Sequence, residues 1–139
     1  MAKPHRLFSI FLFCFPSVAS ACSCIALPYS DDVKTVVKYK IEKSDSVFIG
    51  NVVEKKKIDE YTEAVQFTVI KAYKGVSEGS VTMIQDNCSS PIINKGGQFI
   101  IFAPLLGDNK VSSPYTCWEE KADASEATKT IEVLNELLK

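Results

Sequence analysis

The residues with the most chemistry to offer are Cys22 and Cys24, in the run Ala19-Ser20-Ala21-Cys22-Ser23-Cys24. The small residues at the −3 and −1 positions make A-S-A a signal-peptidase site. Cleavage after Ala21 turns Cys22 into the first residue of the mature chain and leaves it a free α-amino group. With its sulfur held in a disulfide, that amine is fixed in space. A fixed, neutral amine is a candidate nitrogen ligand for a metal ion. Two further cysteines, Cys88 and Cys117, are available as partners, while Cys14 lies in the preceding apolar run and leaves with it.

That preceding segment has the three parts of an export signal. Lys3, His5 and Arg6 form a positive start, Leu7 to Phe15 an apolar centre, and Pro16 and Ser17 a break before the cleavage site. The apolar centre falls within the roughly 7–15 residues of such signals and short of the about 20 that span a bilayer. The expected organisation is a signal peptide over 1–21 and a single mature domain over 22–139, secreted or periplasmic. Four cysteines in a small exported domain predict two disulfides. Of the three pairings, Cys22 with Cys24 is disfavoured because it closes a very small, strained ring. The other two remain open, and each bridge is expected to contribute about 2–4 kcal/mol. A cysteine at a cleavage site is also the acceptor of bacterial lipoproteins. Ala19 stands where such sites carry Leu, so lipidation of Cys22 is the secondary reading, and it is the only expected route to a membrane.

Charge and composition exclude several functions. The chain holds 16 Lys and Arg against 17 Asp and Glu, and loss of Lys3 and Arg6 tips the mature domain further toward acidic. It has no basic tract, so a nucleic-acid partner is not expected. The only histidine, His5, leaves with the signal. The mature chain then has no imidazole base for a serine or cysteine nucleophile, and no enzyme activity or cofactor is expected. The same loss, with oxidised sulfurs, argues against C-x-C as a thiolate metal site or redox pair.

The elements that must hold these residues can be read from periodicity. Ser30, Asp31 and Asp32 signal a helix start, followed by Val33, Val36, Val37 and Ile41 on one stripe. Ser46 to Lys57 reads as a long strand with Gly50 marking a bulge or bend. Thr62 to Tyr73 follows, with Val65, Phe67, Val69 and Lys71 predicted on one face. Ser80 to Gln85 is the third strand. Gln98 to Ala103 is the fourth, apolar enough to be buried on both faces. Asn109 to Ser112 is the fifth, after a turn at Leu106-Gly107-Asp108. Asp123 with Glu126 reads as a capping box for a C-terminal helix. Trp118 is expected to pack against a disulfide, and Lys55-Lys56-Lys57 to be a solvated strand end. The fold class is mainly β with flanking helices, as a five-stranded, partly closed barrel.

With these elements in place, the chain resembles the netrin-like module of the tissue inhibitor of metalloproteinases family, in a compact, single-domain form of bacterial type. The resemblance rests on the mature C-S-C start, S-D-S-V-F-I-G-N-V-V, F-T-V-I-K-A-Y-K-G, D-N-C-S-S, G-G-Q-F-I-I-F-A and S-P-Y-T-C-W. It spans nearly all of residues 22–139. It implies an OB-fold barrel with an N-terminal and a C-terminal helix, and the pairs Cys22–Cys88 and Cys24–Cys117. The chain departs from the animal inhibitors in lacking a third disulfide, a second domain and a long turn between the first two strands.

The resemblance also implies a role. In this family the α-amino nitrogen and carbonyl oxygen of the first cysteine together chelate the catalytic zinc of a target protease. Here Cys22 would be that ligand, and Ser23 would enter the specificity pocket. Ile25, Ala26 and Leu27, with Asp86, Asn87, Ser89 and Ser90, would form the flanking ridge, tied together by Cys22–Cys88. The expected function is an exported protein-binding domain that inhibits a zinc metalloendopeptidase, acting as a monomer. The alternative is an envelope structural or adaptor domain, lipid-anchored or not, in which the N-terminus is stapled for stability alone.

Overall fold

The computed structural model describes residues 27–86, 93–113, 118 and 120–139. Asp32 starts the first helix, α1 (Val33–Lys43), in the manner its sequence predicts: extended backbone, with its carboxylate accepting from the N–H groups of Lys34 and Thr35. At the other end the Lys74 ammonium donates to the carbonyls of Ile41 (3.0 Å) and Ser44 (2.6 Å). A cation there satisfies orphan acceptors and opposes the negative end of the helix dipole.

Strands β1 (Ser46–Lys57), β2 (Thr62–Lys74), β3 (Gly79–Asp86) and β4 (Gln98–Ala103) follow. Three short strands come next, β5 (Leu105–Gly107), β6 (Lys110–Ser112) and β7 (Glu120–Lys121), then helix α2 (Ala127–Leu137). Their hydrogen-bonded order is β5-β6-β3-β2-β1-β4-β7. All pairings are antiparallel except β3 with β6. Among the described residues the sheet therefore has seven strands where five were expected, and its ladder runs open from β5 to β7. Leu106 and Gly107, read from sequence as part of a turn, belong instead to strand β5, which pairs with β6. Glu120–Lys121 extends β4 outward.

The long β1–β2 pair is not a regular ladder. Gly50 faces Val69 while Ile49 faces Lys71, so Ile70 is an extra residue on β2, and Val53 is likewise extra on β1. A bulge shifts the side-chain phase by one. This corrects one sequence expectation: Val65, Phe67 and Val69 are buried, but Lys71 is exposed, and Ala72 takes the inward position. Gly50 lies beside the bulge because a Cβ there would stand 3.2 Å from the Phe67 Cβ and from the Thr68 carbonyl. Gly75 is required more strictly: its φ is +73°, and a Cβ would come within 2.1 Å of the Asp45 carbonyl oxygen.

Two cores lie on opposite faces of the sheet. One is built from strand residues and Ile93, including Phe48, Phe67, Met83, Phe99, Ile101 and Val111. The Phe48 and Phe67 rings meet edge to face at 5.5 Å. The other joins Val47, Ile49, Ile100 and Phe102 to Val37 of α1, to Ala127 and Leu134 of α2, and to Trp118. Strand β4 feeds both, as its unbroken apolar run requires. Trp118 is 1 % exposed and meets the Tyr39 ring edge-on at 5.9 Å. Helix α2 begins at Ala127, later than the Asp123 capping box predicts, and Glu126 makes no side-chain cap bond. Residues 121–127 instead form backbone-bonded turns, Ala124 N–H to Lys121 and Ala127 N–H to Ala124.

Candidate functional site

Most of the expected site lies outside the described residues: Cys22, Ser23, Cys24, Ile25, Ala26, Asn87, Cys88, Ser89, Ser90 and Cys117. The two proposed disulfides and the signal segment fall there as well. Leu27 and Asp86 are described. Leu27 begins the described chain and is 37 % exposed. Asp86 is the last residue of β3, exposed and paired with Thr62 of β2. Strand β3 therefore delivers the chain toward Cys88 from one end of the sheet, next to the β1–β2 turn.

That turn is short and well held. The N–H groups of Ile58 and Asp59 donate to the Thr62 carbonyl, and the Asp59 carboxylate accepts from the Tyr61 N–H at 2.8 Å. This last bond, with further bonding to Thr62 and the charge of Lys57, holds the Asp59 carboxyl below its usual range.

Behind Asp86 lies a polar cluster. Glu63 and Gln85 face each other across β2 and β3. Gln85 Nε2 donates to Glu63 Oε2 at 3.0 Å, and Lys55 Nζ stands 3.2 Å from the same oxygen. Lys55 Nζ also donates to the Ile93 carbonyl at 3.1 Å. The Glu63 carboxyl is held below its usual range, first by the Gln85 amide and then by the Lys55 ammonium. Gln85 is 5 % exposed, and its Oε1 has no hydrogen-bond partner among the described residues. A carboxylate accepts only, so it fixes the amide nitrogen toward Glu63 and points the buried oxygen away from it.

The sequence reading passed over this cluster, though a signal was present. Glu63 and Gln85 share the strand phase of the inward-facing Val65 and Met83. Two polar residues at inward positions near the same end of paired strands mark a polar end to an apolar interior.

A cleft of about 510 Å³ opens between α1 and α2. It is lined by Val33, Val36 and Lys40 on one side, Lys129 and Thr130 on the other, with Glu120 at its edge. The Thr130 hydroxyl donates to the Glu120 carboxylate at 3.1 Å. The Lys40 ammonium stands 5.2 Å from the Phe102 ring centroid. Among the described residues no group of three His, Cys, Asp or Glu side chains could hold a metal. Among the same residues no helix is long and apolar enough to cross a membrane.

Comparison with known protein families finds no matching family model, and comparison with curated proteins finds no match.

Proposed function

We propose that the mature chain is an exported protein-binding domain of OB type that engages a zinc metalloprotease through an N-terminal ridge centred on Cys22. One observation carries this reading: the A-S-A cleavage signal ends where C-S-C begins, so processing creates a free amine on a cysteine. The zinc is the protease's own. A catalytic zinc keeps a coordination position that water normally fills. The Cys22 amine and carbonyl would occupy it as one rigid pair, with little entropy left to lose. The Cys22 sulfur would serve only to hold the terminus in place.

The barrel reading draws support from connectivity. Pro104 alone separates β4 from β5, so one bent segment borders β1 at its start and β6 at its end. The strand-built core contains no helical residue. A sheet that buries one face against its own residues has to curl. Both features fit a five-stranded path, β1-β2-β3-β6 and the β4–β5 segment, with β7 as an addition.

The test is an Ala residue added before Cys22. It replaces the amine by a peptide nitrogen and pushes a residue into the metal site. Inhibition across a panel of zinc metalloproteases should be lost while circular dichroism stays unchanged. Equal inhibition by native and extended protein would sink chelation. Native inhibition should also weaken as pH falls below about 7.7–8, the ordinary range of an α-amine, because protonation removes the lone pair.

A second reading has its own observation, a cysteine at the cleavage site. Acylation there would make the chain a lipid-anchored envelope domain, and an acylated amine cannot ligate zinc. Intact-mass measurement of the exported protein separates the two, since diacylglycerol and amide-linked acyl groups add mass that two disulfides do not.

A further inference from the structure

The segment that leads into α1 carries the most open large side chain of the described residues. Tyr29 is 100 % exposed, whereas Tyr61, the next most open, is 63 % exposed. Leu27, two residues earlier, is exposed as well. A ring left wholly in water adds nothing to the burial that holds the fold, and its apolar area is free to be buried by another molecule. The backbone under this ring is stiffened on both sides. Pro28 fixes its own φ and favours extended backbone at Leu27. Beyond Tyr29, the Ser30 hydroxyl accepts the Asp32 N–H at 3.1 Å, and the Asp32 carboxylate caps α1. Helix α1 is itself seated by Val37 in the helix-side core and by Lys34, which reaches Glu136 of α2 at 2.6 Å. Tyr29 therefore stands three residues ahead of a capped and anchored helix, with few backbone states left to lose when its ring is covered.

We propose that Tyr29 is an aromatic anchor of the protease interface, lying beyond the ridge at Cys22 and entering an apolar recess whose rim offers a hydrogen-bond acceptor to the phenol. The role rests on the reading of Cys22 given above. Position in the chain supports that occupant. Tyr29 follows Cys22 by seven residues, so covalent geometry keeps the two within about 25 Å. A standard interface takes about 800 Å² from each partner, a patch about 30 Å across, which is wide enough to hold both. Leu27, between them, already belongs to the expected ridge and is exposed. Tyrosine suits the task because it offers a large apolar area and one polar tip on a side chain with few rotatable bonds, and it is enriched among the residues that dominate interface energies.

The experiment compares Tyr29→Ala, Tyr29→Phe and, as a control, Leu106→Ala, an exposed residue of β5, in the mature chain with its native Cys22 start. No part of the fold rests on the Tyr29 ring, so Tyr29→Ala should keep wild-type circular dichroism and Tm. Nitrogen-15 relaxation of the wild type, with no protease present, should give the Tyr29 N–H an order parameter near the rigid value of about 0.85. A value below about 0.6 would mark a flexible tail and overturn the preorganised anchor. Against each zinc protease that the wild type inhibits, Tyr29→Ala should raise the inhibition constant about tenfold to thirtyfold. Tyr29→Phe, which loses one hydrogen bond, should raise it by less than about tenfold, and Leu106→Ala should match wild type. Inhibition by Tyr29→Ala equal to that of the wild type would overturn the anchor and leave chelation by Cys22 standing. A wild type that inhibits no protease of the panel would overturn both.

Discussion

Asp32 and Asp59 show how much a single carboxylate can organise. Each accepts a backbone N–H a few residues on, Asp32 at a helix start and Asp59 at a hairpin turn. Each is held below the ordinary carboxylate value as a result, with Asp32 bound first by the Thr35 hydroxyl and then by its N–H. A depressed folded-state pKa means stability that is present above the unfolded value near 3.8 and lost as pH falls through the folded one. Asp32→Ala should therefore lower Tm at pH 7, and the gap to wild type should narrow as pH falls below the unfolded value near 3.8. Thermal unfolding at neutral pH and in a series of acidic buffers checks it; a gap that does not narrow with acid would mean that the cap is not acting through its charge. Asp32 was legible as a cap because Ser30-Asp31-Asp32 precedes a periodic apolar stripe. Its choice over Asp31 was not, since that depends on where the backbone turns helical.

At the scale of elements, the bulge at Ile70 decides which residues of β2 reach the interior. Strict alternation puts Lys71 in the phase of Val69; the bulge moves it to solvent, where its ammonium meets the Asn135 side chain and stands 4.8 Å from the Tyr73 ring centroid. Val69→Ala should cost about 2 kcal/mol from lost burial. Lys71→Ala should cost less than about 1 kcal/mol. Urea unfolding of the two variants tests the register directly, because an inward Lys71 would make its replacement stabilising. The helices divide in the same way. Helix α1 starts where its sequence signal places it, while α2 starts after the expected capping box, because backbone turns between Lys121 and Ala127 compete for the same donors. A further cross-link between helices, Lys34 to Glu136 at 2.6 Å, joins residues too distant in sequence for periodicity to relate.

For the molecule as a whole, the two cores and the two expected disulfides act at different places. The cores as described are built from the strands, the two helices, Ile93 and Trp118, whereas the disulfides would tie the mature N-terminus to segments after β3 and before β7. Reducing both bridges should lower unfolding stability by about 2–4 kcal/mol per bridge, followed by denaturant titration with and without reductant. Mapping under non-reducing conditions should give Cys22–Cys88 and Cys24–Cys117; free thiols or Cys22 joined to Cys117 would reject the pairing. The sequence by itself determined the helix stripes, the four long strands and the two-sided burial of β4, because each depends on a local period that any chain of this pattern must satisfy. It also located the expected processing site and the cysteines, which are properties of residue type and order. Tertiary structure alone decided the bulges that turn Lys71 outward, the pairing of Leu105–Gly107 with β6, and the meeting of Lys55, Glu63, Gln85 and Ile93. Those outcomes depend on which strand lies beside which and in what register, and register is settled only when both faces of the sheet are packed at once.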